Sequence, residues 1–307
     1  MDKNLFIDAS HPEETRIVLK SKYSIEEYEY ENKNNLNFKN NIYLGVVSRV
    51  EPSLQAAFVN FGRVKHGFLA FNDIQSDYYQ IPTEDKEAIK NAETKIREDL
   101  KKSNEDESSI SSENSQKESV NQDQENKNIS SDKEKNEQTS TLREKLRNSY
   151  GLKRYKIQEV IKPGQIILIQ VLKEERGQKG AAITTFISLA GKYMVLMPNT
   201  PKGGGISRKI FNSSDRQKIR KILNEIDIPS NMGVIVRTAG ANKTKNEIEK
   251  DFQNTLKTWE EIKDKALDSN APSLVYEEGD IIKRTLRDTY DNETKNVYVE
   301  GNEAYQK

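Results

Sequence analysis

Hydrophobic and polar residues alternate with a period of two in several short segments of the chain. NLFIDAS, ETRIVLK and SIEEYEYE occur first, and NIYLGVVSRV, AAFVNFG and KHGFLAF follow. Such alternation is typical of half-buried strands, and turn-forming stretches such as KNN and GRVK separate the segments. The pattern therefore predicts that the first part of the chain consists of β-strands.

The strand pattern resumes with PGQIILIQVLKEE and GAAITTFISL after a long polar stretch, residues 83–150. From residue 101 to residue 140 the apolar side chains are only Ile110, Val120 and Ile129. Such a tract buries too little surface to offset its ordering entropy, so we expect a frayed helix that leads into a disordered insertion. Five strands with this insertion between the third and the fourth predict a small closed barrel of the oligonucleotide-binding type.

A further region mixes strands with helices. KYMVLMP and MGVIVRTAG have strand patterns, and residues 214–226 are predicted to form one helix. Thr244 and Glu247 have the spacing of a capping box that opens a longer helix. The apolar face of that helix consists of Ile248, Phe252, Leu256, Trp259, Ile262 and Ala266. A short helix near 280–290 and the strand-like NVYVEG follow, and no obvious partner strand comes after this last strand. The predicted fold class is α+β.

The bulk composition leaves the function open. The chain has 307 residues, and its 49 Lys and Arg residues balance its 49 Asp and Glu residues, so attraction to phosphate must come from local clustering. The absence of cysteine excludes disulfides and thiolate metal sites. Because no apolar run is long enough for a signal peptide or a membrane span, we expect a cytoplasmic protein that does not bind membranes.

Aromatic and basic residues cluster in QAAFVNFGRVKHGFLA. A hairpin at this point would place Phe58 opposite Phe68 and Asn60 opposite His66, with Val59 on the other face. Exposed rings on a strand can stack unpaired bases while nearby cations hold phosphates. In the alternative, both rings belong to the core and the basic turn is merely solvated. The pattern alone does not decide between the two.

Three other segments offer cations to a phosphate. Lys179 lies between glycines in GQKG, although this is also an ordinary hairpin turn. Arg237 and Thr238 end an apolar strand, where a guanidinium beside a hydroxyl can clamp a phosphate; a simple surface arginine is the alternative. The glycine-rich loop before Arg208 lacks the Walker spacing and does not indicate nucleotide triphosphate binding.

These segments, in this order, resemble ribonuclease E and ribonuclease G, the bacterial single-strand endoribonucleases. The matching strings are NIYLGVVSRVEPSLQAAFVNFG, HGFLAF, LKEERGQKGAAITTFISLAGKYMVLMPN, GGISRK and VRTAG. The resemblance implies a ribonuclease H-like subdomain made of residues 1–39 and a truncated second part, 282–307. It places an RNA-binding barrel at residues 40–185 and a 5′-sensor domain at residues 186–281.

The resemblance also assigns RNA-contacting roles to individual residues. Phe58, Phe68 and Lys179 match the residues that contact RNA on the barrel, which favours the stacking interpretation of the two rings. Arg208 matches a residue near the RNA backbone.

A second set of matching residues belongs to the 5′ sensor. Arg237 and Thr238 match the pair that holds a 5′ monophosphate. Val195 would pack on the terminal base, and Gly191 would offer its backbone.

The metal-binding residues of the family have no counterpart in this sequence. In the family, two aspartates and an asparagine hold magnesium in a later domain, and a cysteine pair binds zinc between subunits. Both motifs would lie beyond residue 307, so we expect no catalytic residue, no metal site and no cofactor in this chain. Asp288, Asp291 and Asn292 form the nearest carboxylate and amide cluster, but their spacing suits the end of a helix.

The sequence thus predicts the RNA-binding and 5′-monophosphate-sensing half of a ribonuclease E/G-type endoribonuclease. Its predicted partners are single-stranded RNA with a 5′ monophosphate and, as a further candidate, a separate catalytic half or the full-length enzyme. A stand-alone RNA-binding module without cleavage activity is an alternative, and so is an interaction protein whose polar insertion recruits partners. We expect a monomer.

Overall fold

Three β-sheets form the framework of the chain. The computed structural model describes residues 3–11, 13–32, 38–87, 91, 155–174, 180–200, 205–229, 231–290 and 293–306. Within these ranges, no helix is long and apolar enough to cross a membrane.

The first sheet joins the earliest strands to the last one. Its strands are β1 (Lys3–Asp8), β2 (Glu14–Lys20), β3 (Ile25–Asn32) and β14 (Thr294–Glu300), in the order β14-β1-β2-β3. β1 and β14 run parallel, with Leu5 opposite Val297. The partner of β14 is therefore β1, which comes from the other end of the sequence.

One face of this sheet is buried under two helices. The helices are α4 (Ile281–Thr289) and α5 (Asn302–Gln306). Leu5, Ile7 and Ile17 pack against Ile281 and Ala304 in one apolar cluster. The sheet is consequently held by residues from both ends of the sequence.

The second sheet is the barrel. Its strands are β4 (Ile42–Glu51), β5 (Ala56–Asn60), β6 (Gly67–Ala70), β7 (Ile166–Lys173) and β8 (Ala182–Thr184). The order is β4-β5-β6-β8-β7, and pairing of β4 with β7 closes the barrel. These are the five predicted strands, so the predicted α+β class with a five-stranded barrel is confirmed. The barrel core includes Val47, Val59, Leu69, Ile169 and Ile183.

Two smaller elements attach to the barrel. The helix α1 (Ile157–Val160) contributes both of its terminal residues to the barrel core. The strand β13 (Ser273–Tyr276) pairs with the start of β4. Of the predicted insertion, residues 83–87 are helical, whereas residues 88–90 and 92–150 lie outside the described residues.

The third sheet carries the two longest helices among the described residues. Its strands are β9 (Leu189–Ala190), β10 (Met194–Met197), β11 (Gly205–Ile206) and β12 (Gly233–Val236), in the order β11-β12-β10-β9. The helices are α2 (Ser213–Glu225), shifted by one residue from the prediction, and α3 (Lys245–Asp268). The predicted capping box is present, since the Glu247 carboxylate accepts the Thr244 N–H at 2.9 Å.

The predicted apolar face of α3 packs against the third sheet. Ile248, Phe252 and Ile262 are buried there, and Leu256 and Trp259 are partly buried beside them. The same cluster contains Ile42 from the barrel strand β4 and Val275 from β13, so the sheet and the barrel share one core. The domain boundaries predicted from the sequence stay predictions.

Candidate nucleic-acid interface

Two phenylalanine rings lie opposite each other on the outer face of the barrel. The register of β5 and β6 pairs Phe58 with Phe68, as predicted. The ring centroids are 5.9 Å apart and the ring planes meet at 75°. Val59 and Leu69 point inward and are fully buried, whereas Phe68 is 36% exposed and Phe58 is half-buried. The alternative in which both rings belong to the barrel core is therefore wrong.

A cationic side chain contacts this ring pair. The Arg49 guanidinium, on the neighbouring strand β4, lies 4.4 Å from the centre of the Phe58 ring. This geometry is that of a cation–π contact, in which the guanidinium lies over the ring. The Arg63 guanidinium, in the basic turn, lies 3.9 Å from the centre of the Phe38 ring and not over Phe58 or Phe68. The predicted Lys179 lies outside the described residues.

A second candidate contact lies at the end of β12, where Arg237 and Thr238 leave the third sheet. Because β10 and β12 are antiparallel with Val195 opposite Ile235, the side chains of Val195 and Arg237 project from the same face. The Arg237 guanidinium donates through Nη1 to the Gly191 carbonyl at 2.9 Å. The fold thus brings together the four residues predicted for 5′-phosphate binding, which are Gly191, Val195, Arg237 and Thr238. The Thr238 side chain is exposed.

Gly191 makes two backbone hydrogen bonds in this corner. Its N–H donates to the Met194 carbonyl at 2.8 Å, and its carbonyl accepts from Arg237. A Cβ atom at this position would lie 2.6 Å from Oδ2 of Asp251, so a larger residue would displace the Asp251 carboxylate. The contact between the Gly191 backbone and a phosphate stays a prediction, and the N–H that it would use is bonded within the turn.

Asp251 on α3 fixes this turn, and no local sequence pattern indicates this role. Its carboxylate accepts the N–H groups of Lys192, Tyr193 and Met194 at 3.1, 2.8 and 3.1 Å. A carboxylate that binds three successive backbone donors holds their geometry firmly. Since the Tyr193 carbonyl accepts the Arg237 N–H at 2.8 Å, Asp251 also positions the backbone that carries the guanidinium.

Asp288 on α4 forms an ion pair with the same guanidinium. Its Oδ1 lies 2.6 Å from Nη1 of Arg237, and the carboxylate also accepts from Nε and Nη2 of Arg287 at 3.0 and 2.9 Å. Burial disfavours the charged carboxylate, but the hydrogen bonds from the two arginines outweigh burial and lower the pKa of Asp288 below its usual range. Asp288 is thus a carboxylate shared by two guanidinium groups.

Arg287 connects this corner to the barrel. It donates to the Glu278 carboxylate at 2.9 Å, and Glu278 in turn accepts from the Asn40 side chain at 2.5 Å, just before β4. Burial lowers the pKa of Arg287, yet the bonds to Asp288 and Glu278 reverse this effect and raise it. A continuous polar chain therefore runs from Arg237 through two carboxylates to the start of the barrel.

Arg208 lies next to the corner on the turn that follows β11. The Ser207 N–H donates to the Val236 carbonyl at 2.9 Å, so the turn lies beside the residue that precedes Arg237. Arg208 is exposed. Two of the predicted contact sites, Arg208 and Arg237, are therefore neighbours.

The sequence is similar to bacterial ribonucleases over nearly its whole length. A sequence model of the Ribonuclease E/G family matches residues 188–307. Ribonuclease E of Haemophilus influenzae is 32% identical over 306 residues, which cover 99% of this chain and 26% of that protein. Ribonuclease E of Escherichia coli is 33% identical over 286 residues, which cover 93% of this chain and 21% of that protein. The chain belongs to the ribonuclease E/G family.

A third relative is similar over a shorter part of the chain. Ribonuclease E of Synechocystis sp. is 38% identical over 144 residues, which cover 47% of this chain and 21% of that protein. The chain spans about a quarter of the length of the Haemophilus and Escherichia relatives.

The described residues do not fit the magnesium or zinc sites that the ribonuclease E/G family implies. Among the described ranges, no three His, Cys, Asp or Glu side chains lie together as metal ligands. Asp288, the one member of the candidate cluster that is described, is bonded to two arginines, and Asp291 and Asn292 lie outside the described residues. No step of RNA cleavage is therefore assigned to these residues.

Replacing Asp288 with Asn should lower the free energy of unfolding by about 1 kcal/mol near pH 7, after allowance for solvent screening. The folded-state pKa of Asp288 is lowered, so its contribution is fully present above the unfolded-state pKa and disappears as the pH falls through the folded-state value. Urea unfolding measures the effect at two pH values, one near neutral and one well below the usual aspartate pKa. The difference in free energy of unfolding between parent and variant should be smaller at the acidic pH.

Asp227→Asn is the matched control, because Asp227 is exposed in the loop before β12. It should leave the free energy of unfolding unchanged at both pH values. An Asp288→Asn protein as stable as its parent near neutral pH would show that the double ion pair contributes nothing to the fold.

Proposed function

We propose that this chain binds single-stranded RNA on the outer face of the barrel and holds a 5′-monophosphate end at the corner formed by Arg237 and Thr238. It would serve as the RNA-recognition part of an endoribonuclease of the ribonuclease E/G family. The observation that carries the proposal is the ring pair of Phe58 and Phe68, which faces outward from a closed barrel beside a guanidinium.

The ring pair supports binding of unpaired bases. Each stacked base is worth about 1–3 kcal/mol, and every base has a face that can stack, so such a site tolerates many sequences. The cation above Phe58 can hold the adjoining phosphate. Bases within a duplex are already stacked on one another, which favours single strands at this surface.

The free donors of Arg237 support binding of a 5′ phosphate. Both hydrogen bonds made by its guanidinium within the described part of the chain use Nη1, one to Gly191 and one to Asp288. A guanidinium has five N–H donors in a planar fork, so Nε and Nη2 can still bind phosphate oxygens. The exposed Thr238 hydroxyl adds a neutral donor.

Cleavage is proposed to depend on metal-binding residues other than those described. If so, the purified chain binds RNA without cutting it in magnesium, and addition of a polypeptide that carries the catalytic residues restores cleavage. This mixing experiment separates the RNA-recognition part of an enzyme from a binding module that works alone.

The 5′-end preference is expected to disappear in Arg237→Gln. Fluorescence anisotropy of a single-stranded oligoribonucleotide labelled at its 3′ end, carrying either a 5′ monophosphate or a 5′ hydroxyl, measures the preference directly. Loss of one charge-assisted contact should reduce affinity for the 5′-monophosphate RNA by about tenfold, with little effect on the 5′-hydroxyl RNA.

Arg16→Gln serves as the control, because Arg16 lies on the first sheet and pairs with Glu14 there. It should leave both affinities at the parental values. A variant Arg237→Gln that still distinguishes the two 5′ ends would refute the proposed sensor, while failure of the parent protein to bind either RNA would refute the proposed function as a whole.

A further inference from the structure

One aromatic side chain stands out from the rest of the third sheet and its helices. Phe211 is 89% exposed, at the end of the turn that follows β11. Its ring therefore contributes almost nothing to the core. The neighbouring Ile210, by contrast, is buried with Ile219 and Val236.

The backbone that carries this ring is fixed on both sides. Before it, Nη1 of Arg216 donates to the carbonyls of Ser207 and Ile210 at 3.3 and 3.2 Å. After it, the Asn212 side chain caps α2 by accepting the Ser214 N–H at 3.0 Å. The exposed ring is thus presented by a well-defined turn and loses little conformational freedom when it binds a partner.

The surroundings of Phe211 are strongly basic, although the whole chain is neutral. Residues 205–226 contain six Lys or Arg and only two acidic residues, Asp215 and Glu225. Arg208 and Lys209 are exposed on the same turn, and Lys218 and Lys221 are exposed on α2. An exposed ring among cations has the chemistry that contacts unpaired bases and their phosphates.

The turn also lies next to the proposed 5′-phosphate corner. Ile206 pairs with Val236 in the parallel β11–β12 ladder, and the Ser207 N–H donates to the Val236 carbonyl at 2.9 Å. Arg237 is the following residue. A chain of RNA whose 5′ phosphate lies at Arg237 would therefore have nucleotides within reach of this turn.

We propose that the turn of residues 207–211 is a further contact site for single-stranded RNA. Phe211 stacks on an unpaired base near the 5′ end, and Arg208 and Lys209 bind the adjoining phosphates. This inference rests on the proposed function, because it takes the same RNA strand as its ligand.

Replacing Phe211 with Ala tests the stacking contact without disturbing the fold. Because the ring is exposed, the urea midpoint should stay at the parental value. Affinity for a 5′-monophosphorylated single-stranded RNA should fall about tenfold, as expected from loss of one stacked base. Tyr23→Ala is the matched control, since Tyr23 is 84% exposed in the turn between β2 and β3 and has a lysine over its ring. This control should bind RNA like the parent.

Phe211→Trp gives an independent spectroscopic test. The chain contains a single tryptophan, Trp259, which is partly buried on α3, so the new side chain adds an exposed indole. Stacking on a base should quench the added fluorescence on titration with the same RNA, and the parent should show no comparable change.

The outcomes separate this inference from the proposed function. If the parent binds RNA and loses affinity through Arg237→Gln, while Phe211→Ala binds like the parent and Phe211→Trp is not quenched, the turn is not an RNA contact and the inference is overturned. If the parent binds no RNA, the proposed function fails first. A lower affinity in Phe211→Ala together with quenching in Phe211→Trp confirms the site.

Discussion

Replacing Gly180 with alanine is expected to destabilise the barrel by about 3 kcal/mol or more, because the added atom collides with backbone. A Cβ atom at Gly180 would lie 2.0 Å from the His66 carbonyl oxygen. His66 immediately precedes β6, and β6 pairs in parallel with β8 just after Gly180. Relief of the collision requires these strands to separate, which breaks the hydrogen bond of 2.7 Å from the Phe68 N–H to the Ala181 carbonyl. Urea unfolding followed by far-ultraviolet circular dichroism measures the loss.

Gly205→Ala is the matched control for this substitution. Gly205 lies on β11, and a Cβ atom there would have no neighbour within 4 Å. The free energy of unfolding should change by no more than about 0.5 kcal/mol, as for other surface substitutions. If Gly180→Ala unfolds at the same urea concentration as the parent, the close approach of β6 and β8 does not require glycine at position 180.

The barrel and α3 could be predicted because their signals are local. Alternation sends Val59 inward and Phe58 outward within one strand, and the short turn between β5 and β6 sets their register. The capping box of Thr244 and Glu247 marks the start of α3 within four residues. Each of these signals lies within a short window of sequence, where no distant contact is needed to interpret it.

Local patterns do not predict the partner of β14 or the carboxylates of the corner, because these depend on residues far apart in the sequence. Only the family resemblance groups residues 1–39 with residues 282–307. β14 pairs with β1, at the other end of the chain. Asp288 finds Arg237 only after α4 has packed beside the third sheet, and its spacing in RDTYDNE indicated no more than a helix end. Asp251 lies beside the apolar face of α3, three residues after the buried Ile248, where a solvated carboxylate is the ordinary expectation.

The polar chain from Arg237 to Asn40 gives these long-range contacts a structural consequence. Arg287 and Glu278 connect the proposed phosphate site to the start of β4, the strand that pairs with both β5 and β7. A single RNA strand can be held at two places only if their separation is fixed. The hydrogen bonds and ion pairs of this polar chain restrain that separation, since each charged group is held by a partner of opposite charge.

Replacing both Phe58 and Phe68 with leucine is expected to weaken binding of single-stranded RNA by about 30-fold or more. This is the effect expected when one or two bases no longer stack on the protein. Leucine keeps the apolar bulk on the barrel surface but lacks a flat face for a base. The two inward residues, Val59 and Leu69, are unaffected, so the fold should be retained. Anisotropy titrations at several salt concentrations measure the effect.

The salt dependence distinguishes the rings from the cations. Because the rings contact no phosphate, the double variant should bind RNA more weakly than the parent at every salt concentration. The slope of the logarithm of the binding constant against the logarithm of the salt concentration should be unchanged. Arg208→Gln should instead reduce that slope by about one, as expected for one lost phosphate contact. Phe6→Leu is the control, since Phe6 is 38% exposed and stacks on Tyr298 in the first sheet, at 4.9 Å between centroids. If the double variant binds RNA as tightly as the parent, RNA does not lie on the barrel rings, because removal of rings that stack on bases must reduce affinity.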